Sequence, residues 1–274
     1  MRTQVQKAAA FRALHERAGA FIIPNPWDAG TAKLLAALGF EALATTSLGL
    51  SSSLGRPDGA GAVSRRELLE NCAAIAAATD LPVSADLENC YAHEPRAAAQ
   101  TIRLAAEAGV VGGSIEDATG DGRKPIYDFQ LAVERVQAAV EMARSLGFAF
   151  VLTARAENFL HGRRDLDDTI RRLQAFEKAG ADVLYAPGLK DLATIRTVAS
   201  SVGRPLNVVI GMLDPGITAD ELAQAGVKRI SVGGALCRLA LAHFMKGARE
   251  MKDRGSFGWM AEMIPTPELR KIFE

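Results

Sequence analysis

The chain has 274 residues and carries 32 Lys plus Arg against 32 Asp plus Glu, so its formal charge at neutral pH is zero. With 49% hydrophobic and 23% charged residues, its composition is globular and excludes a disordered or fibrous chain. The balanced charge lacks the basic footprint of a nucleic-acid-binding protein, and no run of about 18 apolar residues is present to span a membrane. We therefore expect neither nucleic acid nor a membrane as a partner.

The cysteines and the first residues indicate a cytoplasmic protein. The chain has three cysteines, Cys72, Cys90 and Cys237. An odd number of widely separated cysteines favours reduced thiols over a disulfide framework. The first 20 residues are interrupted by charge and contain no apolar core of the secretory type. A cytoplasmic location is the expectation.

An amphipathic segment, a glycine and a short apolar run follow one another repeatedly along the chain. Glycine ends a helix cheaply in the left-handed conformation, and the apolar run after it suits a strand that is covered on both faces. The predicted strands start near residues 21, 41, 81, 111, 148, 182, 206 and 229. This alternation, with no break in composition, predicts a single α/β domain over residues 1–274, a (β/α)8 TIM barrel; a doubly wound open sheet is the alternative.

Residues 234–274 are too many for one closing helix. They contain LCRLALAHFMKGAREM, then the glycine-rich DRGSFGWM, then TPELRKIFE. We expect at least two helices here, as a C-terminal extension that takes part in oligomerisation.

Polar side chains gather at the carboxyl ends of the predicted strands, which form the working face of a barrel. In strand order they are Asn25, Trp27 and Asp28; Thr45, Thr46 and Ser47; Asp86 and Glu88; Glu116 and Asp117; Arg155 and Glu157; Tyr185; and Asn207. Acids from neighbouring strands are therefore expected to converge on one mouth.

Such a cluster of acids needs a compensating charge. Oxygen ligands with few histidines and no thiolate pair select a hard cation, and Mg²⁺ prefers one or two direct carboxylates plus several waters. Mn²⁺ is the alternative ion. The competing interpretation is that the acids are rim residues paired with Arg and Lys, but acids on three adjacent strand ends favour the metal.

Four blocks of the sequence resemble motifs of the isocitrate lyase and phosphoenolpyruvate mutase superfamily. The first is PVSADLENCYA, similar to the signature Asp-X-Asp-X-Gly-Tyr-Gly, with Asp86 and Glu88 in its acid positions. The other three, in the family's order and at its spacing, are TTSLGLSSSLGRPDG, GGSIEDATGDGRKP and TARAENF. The resemblance runs from about residue 11 to about residue 245.

This resemblance implies roles for individual residues. The implied metal set is Asp86 as the direct Mg²⁺ ligand, with Asp58, Glu88 and Glu116 holding metal-bound waters. The implied substrate-binding set is Thr46, Ser47, Leu48, Asp86, Arg155, Glu157, Tyr185 and Asn207. Arg155 is also a candidate catalytic residue, and it suits a substrate anion because its planar fork binds a carboxylate bidentately. Family members often swap their last helix between subunits, which implies a homo-oligomer, either a dimer or a tetramer.

The sequence departs from the family in two places. Cys90 and Ala92 replace the glycines of the signature, and Cys90 is interpreted as a small packed thiol. The loop after strand 4, DATGDGRKPIYDF, lacks both the Lys-Lys-Cys-Gly-His type loop of the lyases and the lysine pattern of the mutases. Residues 118–128 are interpreted as a lid, or alternatively as an ordinary solvated loop, with Arg123 and Lys124 as candidate catalytic residues.

The resemblance implies a Mg²⁺-dependent lyase. It would cleave a carbon–carbon bond of a small 2-hydroxy or 2-oxo carboxylic acid, such as isocitrate, methylisocitrate or an oxaloacetate-like acid, through a metal-stabilised enolate. The alternatives are carbon–phosphorus chemistry, as in phosphoenolpyruvate mutase or phosphonopyruvate hydrolase, and a protein that binds a 2-oxo acid without turnover.

Overall fold

The computed structural model of the chain describes residues 2–59 and 61–274. Within these residues, eight short strands alternate with eleven α-helices. The strands are β1 (Phe21–Ile23), β2 (Leu43–Ala44), β3 (Val83–Ala85), β4 (Gly112–Glu116), β5 (Val151–Arg155), β6 (Val183–Tyr185), β7 (Leu206–Val209) and β8 (Val227–Ser231). The helices are α1 (Gln4–Glu16), α2 (Ala29–Ala37), α3 (Ser47–Ser53), α4 (Arg65–Ala77), α5 (Pro95–Glu107), α6 (Phe129–Ser145), α7 (Leu166–Lys178), α8 (Leu192–Ser200), α9 (Ala219–Gln224), α10 (Ala235–Arg254) and α11 (Thr266–Phe273).

The strands form one parallel sheet in the order β1-β8-β7-β6-β5-β4-β3-β2. Its two ends meet where the N–H of Ala44 donates to the carbonyl of Pro24 at 3.0 Å, so the sheet closes into a barrel. The predicted (β/α)8 barrel is confirmed, and the open-sheet alternative is wrong. Each strand starts within three residues of its predicted position. The differences arise because hydrogen bonds to the neighbouring strands, rather than the apolar pattern, define where a strand begins.

The ladder register places several polar residues in one row around the barrel. Glu116 pairs with Arg155, Arg155 with Tyr185, Tyr185 with Asn207, and Asn207 with Arg229. Residues in register on parallel strands point to the same face of the sheet. The row therefore brings side chains from five consecutive strands to the same level of the barrel.

Helix α1 covers the amino end of the barrel. Its Phe11 is fully buried in an apolar cluster that includes Phe21 and Ile23 of β1, and a Cβ at Gly112 would lie only 2.8 Å from the Phe11 ring. Packing therefore fills the centre of this end.

The segment after β8 contains the two helices that were expected, α10 and α11. The last helix returns to the barrel, where Lys33 of α2 donates to the carbonyl of Phe273 at 2.7 Å. Among the described residues, no helix has the length and apolar character that crossing a membrane requires.

Candidate active site

A cavity of about 270 Å³ opens at the carboxyl ends of the strands. Its wall includes eight of the residues predicted for the site: Thr46, Ser47, Leu48, Asp58, Asp86, Arg155, Tyr185 and Asn207. Glu88 lies beside it, in a small crevice that it shares with Asp58 and Ser47. The structure thus brings the predicted metal and substrate residues to one end of the barrel.

The turn from β2 into α3 forms one wall of this cavity. Thr46 begins the helix, and its hydroxyl accepts from the N–H of Gly49 at 3.4 Å. Gly49 has no room for a side chain, because a Cβ there would lie 2.6 Å from the Cβ of Trp27. The N–H of Ser47 donates to Oδ2 of Asp86 at 3.2 Å, which ties the turn to the end of β3.

Arg155 binds three carboxylates at once. Its Nη1 lies 2.9 Å from Asp86, its Nη2 lies 3.3 Å from Glu116, and its Nε lies 2.8 Å from Glu157. Burial alone would lower the pKa of Arg155, but the charges of the three acids raise it well above its usual value. The guanidinium also lies 5.0 Å from the centre of the Tyr185 ring, a cation–π distance.

The acids at this end of the barrel influence one another's ionisation. The pKa values of Asp58, Glu88 and Glu116 are all raised; burial is the largest cause, and the charges of neighbouring acids add to it. Burial disfavours the ionised form of a carboxyl group, and a neighbouring negative charge disfavours it further. A cation bound beside these carboxyl groups would offset both effects.

The carboxylates of this site are arranged to hold Mg²⁺ partly through water. Among residues 2–59 and 61–274, no three His, Cys, Asp or Glu side chains are close enough together to hold a metal ion directly. Mg²⁺ commonly takes one or two carboxylates and keeps several waters. Asp86 as a direct ligand, with Asp58, Glu88 and Glu116 reached through water, agrees with this arrangement.

The backbone after β3 is held in an unusual conformation. Glu88, Cys90 and Tyr91 have positive φ angles of 49°, 59° and 56°. The hydroxyl of Tyr91 donates to Oε1 of Glu88 at 2.7 Å, which fixes the carboxylate beside the crevice. Cys90, at a position where the family signature has glycine, is fully buried, and burial raises its pKa to about 12, so it is a packed neutral thiol.

Asp117 does not line the cavity, although the acids at the strand ends were expected to converge there. It is 2% exposed and accepts from Nη1 of Arg172 at 3.0 Å and from the N–H of Glu157 at 2.8 Å. Arg172 in turn donates to Asp168 at 2.8 Å. Side chains alternate between the two faces of a strand, so Asp117 points away from the side occupied by Glu116 and supports Glu157 from behind.

Arg123 and Lys124 lie apart from the cavity wall. Their side chains are 92% and 61% exposed and pair with Asp121 at 3.2 Å and Asp128 at 2.6 Å. The loop that carries them is pinned at its base by a bridge between Ala118 and Ile126. Their predicted catalytic role stays a prediction.

Several polar residues of the cavity were not predicted from the sequence, among them Ser114 and Arg229. The hydroxyl of Ser114 in β4 donates to Oδ1 of Asp86 at 3.4 Å. Arg229 in β8 lies at the cavity wall and is 6% exposed. Both residues lie inside strands rather than after them, so the pattern of polar residues at strand ends does not include them. A polar residue within an otherwise apolar run is the sequence feature that indicates such positions.

Comparison with known proteins agrees with this geometry. The family model for phosphoenolpyruvate phosphomutase matches residues 11–252. A crystal structure of a candidate lyase/mutase from Burkholderia cenocepacia J2315 is 57% identical and superposes with a TM-score of 0.96, covering 98% of this chain and 96% of that one.

Two relatives with named activities are more distant. The 2-methylisocitrate lyase of Escherichia coli is 30% identical over 227 residues, which is 80% of this chain and 75% of that protein. A crystal structure of a 2,3-dimethylmalate lyase is 27% identical with a TM-score of 0.86, covering 99% of this chain and 95% of that one. From the family match and the shared barrel, we conclude that the chain belongs to the phosphoenolpyruvate phosphomutase family, within the PEP mutase/isocitrate lyase superfamily of enzymes.

Proposed function

We propose that this protein is a Mg²⁺-dependent lyase that cleaves a carbon–carbon bond of a small 2-hydroxy or 2-oxo carboxylic acid. The observation that carries the proposal is the contact between Asp86 and Arg155 at the cavity wall, which joins a metal-binding acid to an anion-binding cation. The 2-methylisocitrate lyase and the 2,3-dimethylmalate lyase named above support this proposal. The family model, which is named for a phosphomutase, keeps carbon–phosphorus chemistry as the alternative.

The residues of the site divide the work of binding. A guanidinium has five N–H groups, and three of those of Arg155 are directed at carboxylates, so two remain for a substrate carboxylate. Beside them, the turn offers the hydroxyls of Thr46 and Ser47 and the N–H of Leu48 to the same anion. These fixed donors orient the acid before any bond changes, which lowers the entropic part of the barrier.

A bound Mg²⁺, held by Asp86 directly and by Asp58, Glu88 and Glu116 through water, would act as a Lewis acid that stabilises developing negative charge. The protein holds these carboxylates in fixed positions. Tyr91 holds Glu88, and Ser114 and the N–H of Ser47 hold Asp86. Preorganised groups of this kind need no reorganisation when the charge appears.

The experiment is a parallel incubation with Mg²⁺ of three acids: oxaloacetate, 2-methylisocitrate and phosphonopyruvate. We expect one of the first two to be split, with activity lost in EDTA and restored by Mg²⁺. Turnover of phosphonopyruvate alone would replace the proposal with carbon–phosphorus chemistry. Binding of a 2-oxo acid with no turnover of any compound would instead indicate a binding protein.

We also propose that α10 forms the contact of a homo-oligomer. Leu239, Phe244 and Met245 are 55%, 70% and 45% exposed on this helix. Large apolar side chains exposed on one helix are a feature of helices that pack against another subunit. Light scattering should therefore give a dimer or tetramer, and Phe244→Lys should shift the mass toward the monomer. A monomeric wild-type protein would contradict this.

A further inference from the structure

The 88–93 loop, between β3 and α5, has a backbone conformation that residues other than glycine rarely adopt. Glu88, Cys90 and Tyr91 all have positive φ angles, and none of them is glycine. Left-handed backbone is disfavoured for a residue with a Cβ, so it persists only where surrounding contacts hold it. Because Glu88 belongs to the predicted metal set, the contacts that hold this loop bear on the candidate active site.

Arg135 of α6 provides three of those contacts. Its side chain is 1% exposed. Its Nη1 donates to the carbonyls of Ala92 and His93, and its Nη2 donates to the carbonyl of Asn89. Its buried Nε has no hydrogen-bond partner among the described residues, so all the hydrogen bonds of this guanidinium go to the 88–93 loop.

The orientation of this guanidinium is itself fixed. Its Cζ lies 4.2 Å from the centre of the Tyr127 ring, a cation–π distance, and Tyr127 is 4% exposed. The Tyr127 hydroxyl is hydrogen-bonded to Nδ1 of His93, so Tyr127 and Arg135 hold the same residue. A planar guanidinium packed on an aromatic ring directs its donors along set lines, which the flexible ammonium group of a lysine does not do.

The loop transmits this restraint to Glu88. Tyr91 lies between Asn89 and Ala92, whose carbonyls both bind Arg135. The hydroxyl of Tyr91 donates to Oε1 of Glu88 at 2.7 Å. A turn of the backbone at Tyr91 would therefore move this hydroxyl, and the Glu88 carboxylate would lose the group that fixes it beside the crevice.

We propose that Arg135 is a positioning residue of the metal site, which sets the place of the Glu88 carboxylate by holding the 88–93 loop. The inference rests on the proposed function, because it takes Glu88 as a ligand that reaches Mg²⁺ through water. Arg135 does not line the cavity. It acts on the site through backbone carbonyls, Tyr91 and Glu88.

Calorimetric titration of Mg²⁺ tests the route through Glu88. Arg135→Met should weaken Mg²⁺ binding by about 10- to 100-fold, the range for groups that orient metal ligands. In protein that already carries Glu88→Gln, Arg135→Met should change Mg²⁺ affinity by less than about twofold, because no charged carboxylate is left to position. An equal loss in both backgrounds overturns the proposal.

Further measurements separate positioning from folding. The midpoint of urea unfolding should fall equally when Arg135→Met is made with and without Glu88→Gln, since the lost carbonyl contacts are the same. Oxalate probes the anion side of the cavity, at Arg155 and the turn of residues 46–48. At saturating Mg²⁺ its affinity should change by less than about threefold in Arg135→Met, which also shows that the variant is folded; a loss of oxalate binding as large as that of Mg²⁺ would mean that Arg135 supports the whole site.

Two variants of α6 serve for comparison. Arg135→Lys keeps the charge but not the planar fork, so its Mg²⁺ affinity should lie between those of wild type and Arg135→Met. If Arg135→Met does not fold, Arg135→Lys takes its place in every comparison. Arg144→Met removes an exposed arginine from the same helix and should leave Mg²⁺ affinity unchanged.

A crystal structure of Arg135→Met without metal tests the loop separately from the metal. We expect Tyr91 to lose its positive φ angle or its hydrogen bond to Glu88. If the loop keeps both, Arg135 does not hold Glu88 and the proposal is wrong. If the loop moves but wild-type protein and Glu88→Gln bind Mg²⁺ equally, or neither binds it, the hold of Arg135 on Glu88 is confirmed and the metal site of the proposed function is wrong.

Discussion

Nη1 of Arg155 lies 2.9 Å from Oδ1 of Asp86, so the residue proposed to bind the metal directly is bonded to the residue proposed to bind the substrate. Both side chains are mostly buried, at 14% and 19% exposure, so the contact is weakly screened by solvent. A substitution of either residue should therefore affect both metal binding and substrate binding.

Asp86→Asn tests the metal assignment. The substitution keeps the shape of the side chain but removes its charge, so Mg²⁺ affinity and turnover should fall together, with turnover reduced by about two to three powers of ten. Calorimetric titration of Mg²⁺ and the rate with the identified substrate measure the two effects. Asp253→Asn, an exposed acid on α10, is the control and should behave as wild type. A fully active Asp86→Asn protein would end the metal assignment.

Arg123→Ala and Lys124→Ala test the lid. Both residues are exposed and paired with acids of their own loop, so a role in turnover requires the loop to close over the cavity. In that case each variant should lower kcat/KM by about tenfold or more, while Arg196→Ala on α8 should not. If both variants keep wild-type kinetics, residues 118–128 are an ordinary solvated loop.

Gly234→Ala tests the packing of the turn against the start of α10. An ideal Cβ at Gly234 would lie 2.6 Å from Cδ2 and 3.0 Å from Cβ of Leu48, so Leu48 must move. We expect a loss of about 1 to 3 kcal/mol in the free energy of unfolding, the usual cost of overpacking, together with weaker oxalate binding. Gly147→Ala is the matched control, because its Cβ would meet nothing within 4 Å. Unchanged oxalate affinity in Gly234→Ala would mean that the position of Leu48 does not matter for the anion.

Asp168→Asn tests the buried network behind Glu157. Burial alone would raise the pKa of Asp168, but hydrogen bonds from Arg172, Arg171 and Asn158 hold it below its usual value. A group with a lowered folded pKa stabilises the protein above its unfolded pKa, and this stabilisation is lost as the pH falls through the folded pKa.

Urea unfolding at several pH values measures that contribution. Asp168→Asn should be less stable than wild type by about 3 kcal/mol at pH 7, and the difference should shrink as the pH falls below about 4. Asp167→Asn, the exposed neighbour in the first turn of α7, should show little difference at any pH. A gap that stays constant down to pH 3 would show that the charge of Asp168 is not what stabilises the network.

The sequence by itself determined the barrel and most of the site. The repeated glycine and apolar run predicts six strands, and two further apolar runs near residues 81 and 206 predict the others. A parallel barrel has one end where the polar residues after the strands must meet. Asp86, Arg155 and the turn at residues 46–48 could be placed at the same mouth for this reason.

Only the tertiary structure decided what each polar side chain faces. A shift of one residue in a strand turns a side chain to the other face, and strand starts predicted to within three residues cannot resolve this. The ladders therefore separate Glu116, which faces Arg155, from Asp117, which binds Arg172 behind the wall. They also place Arg229 in the row with Asn207, because the pairing of β7 with β8 is a long-range contact that no local pattern contains.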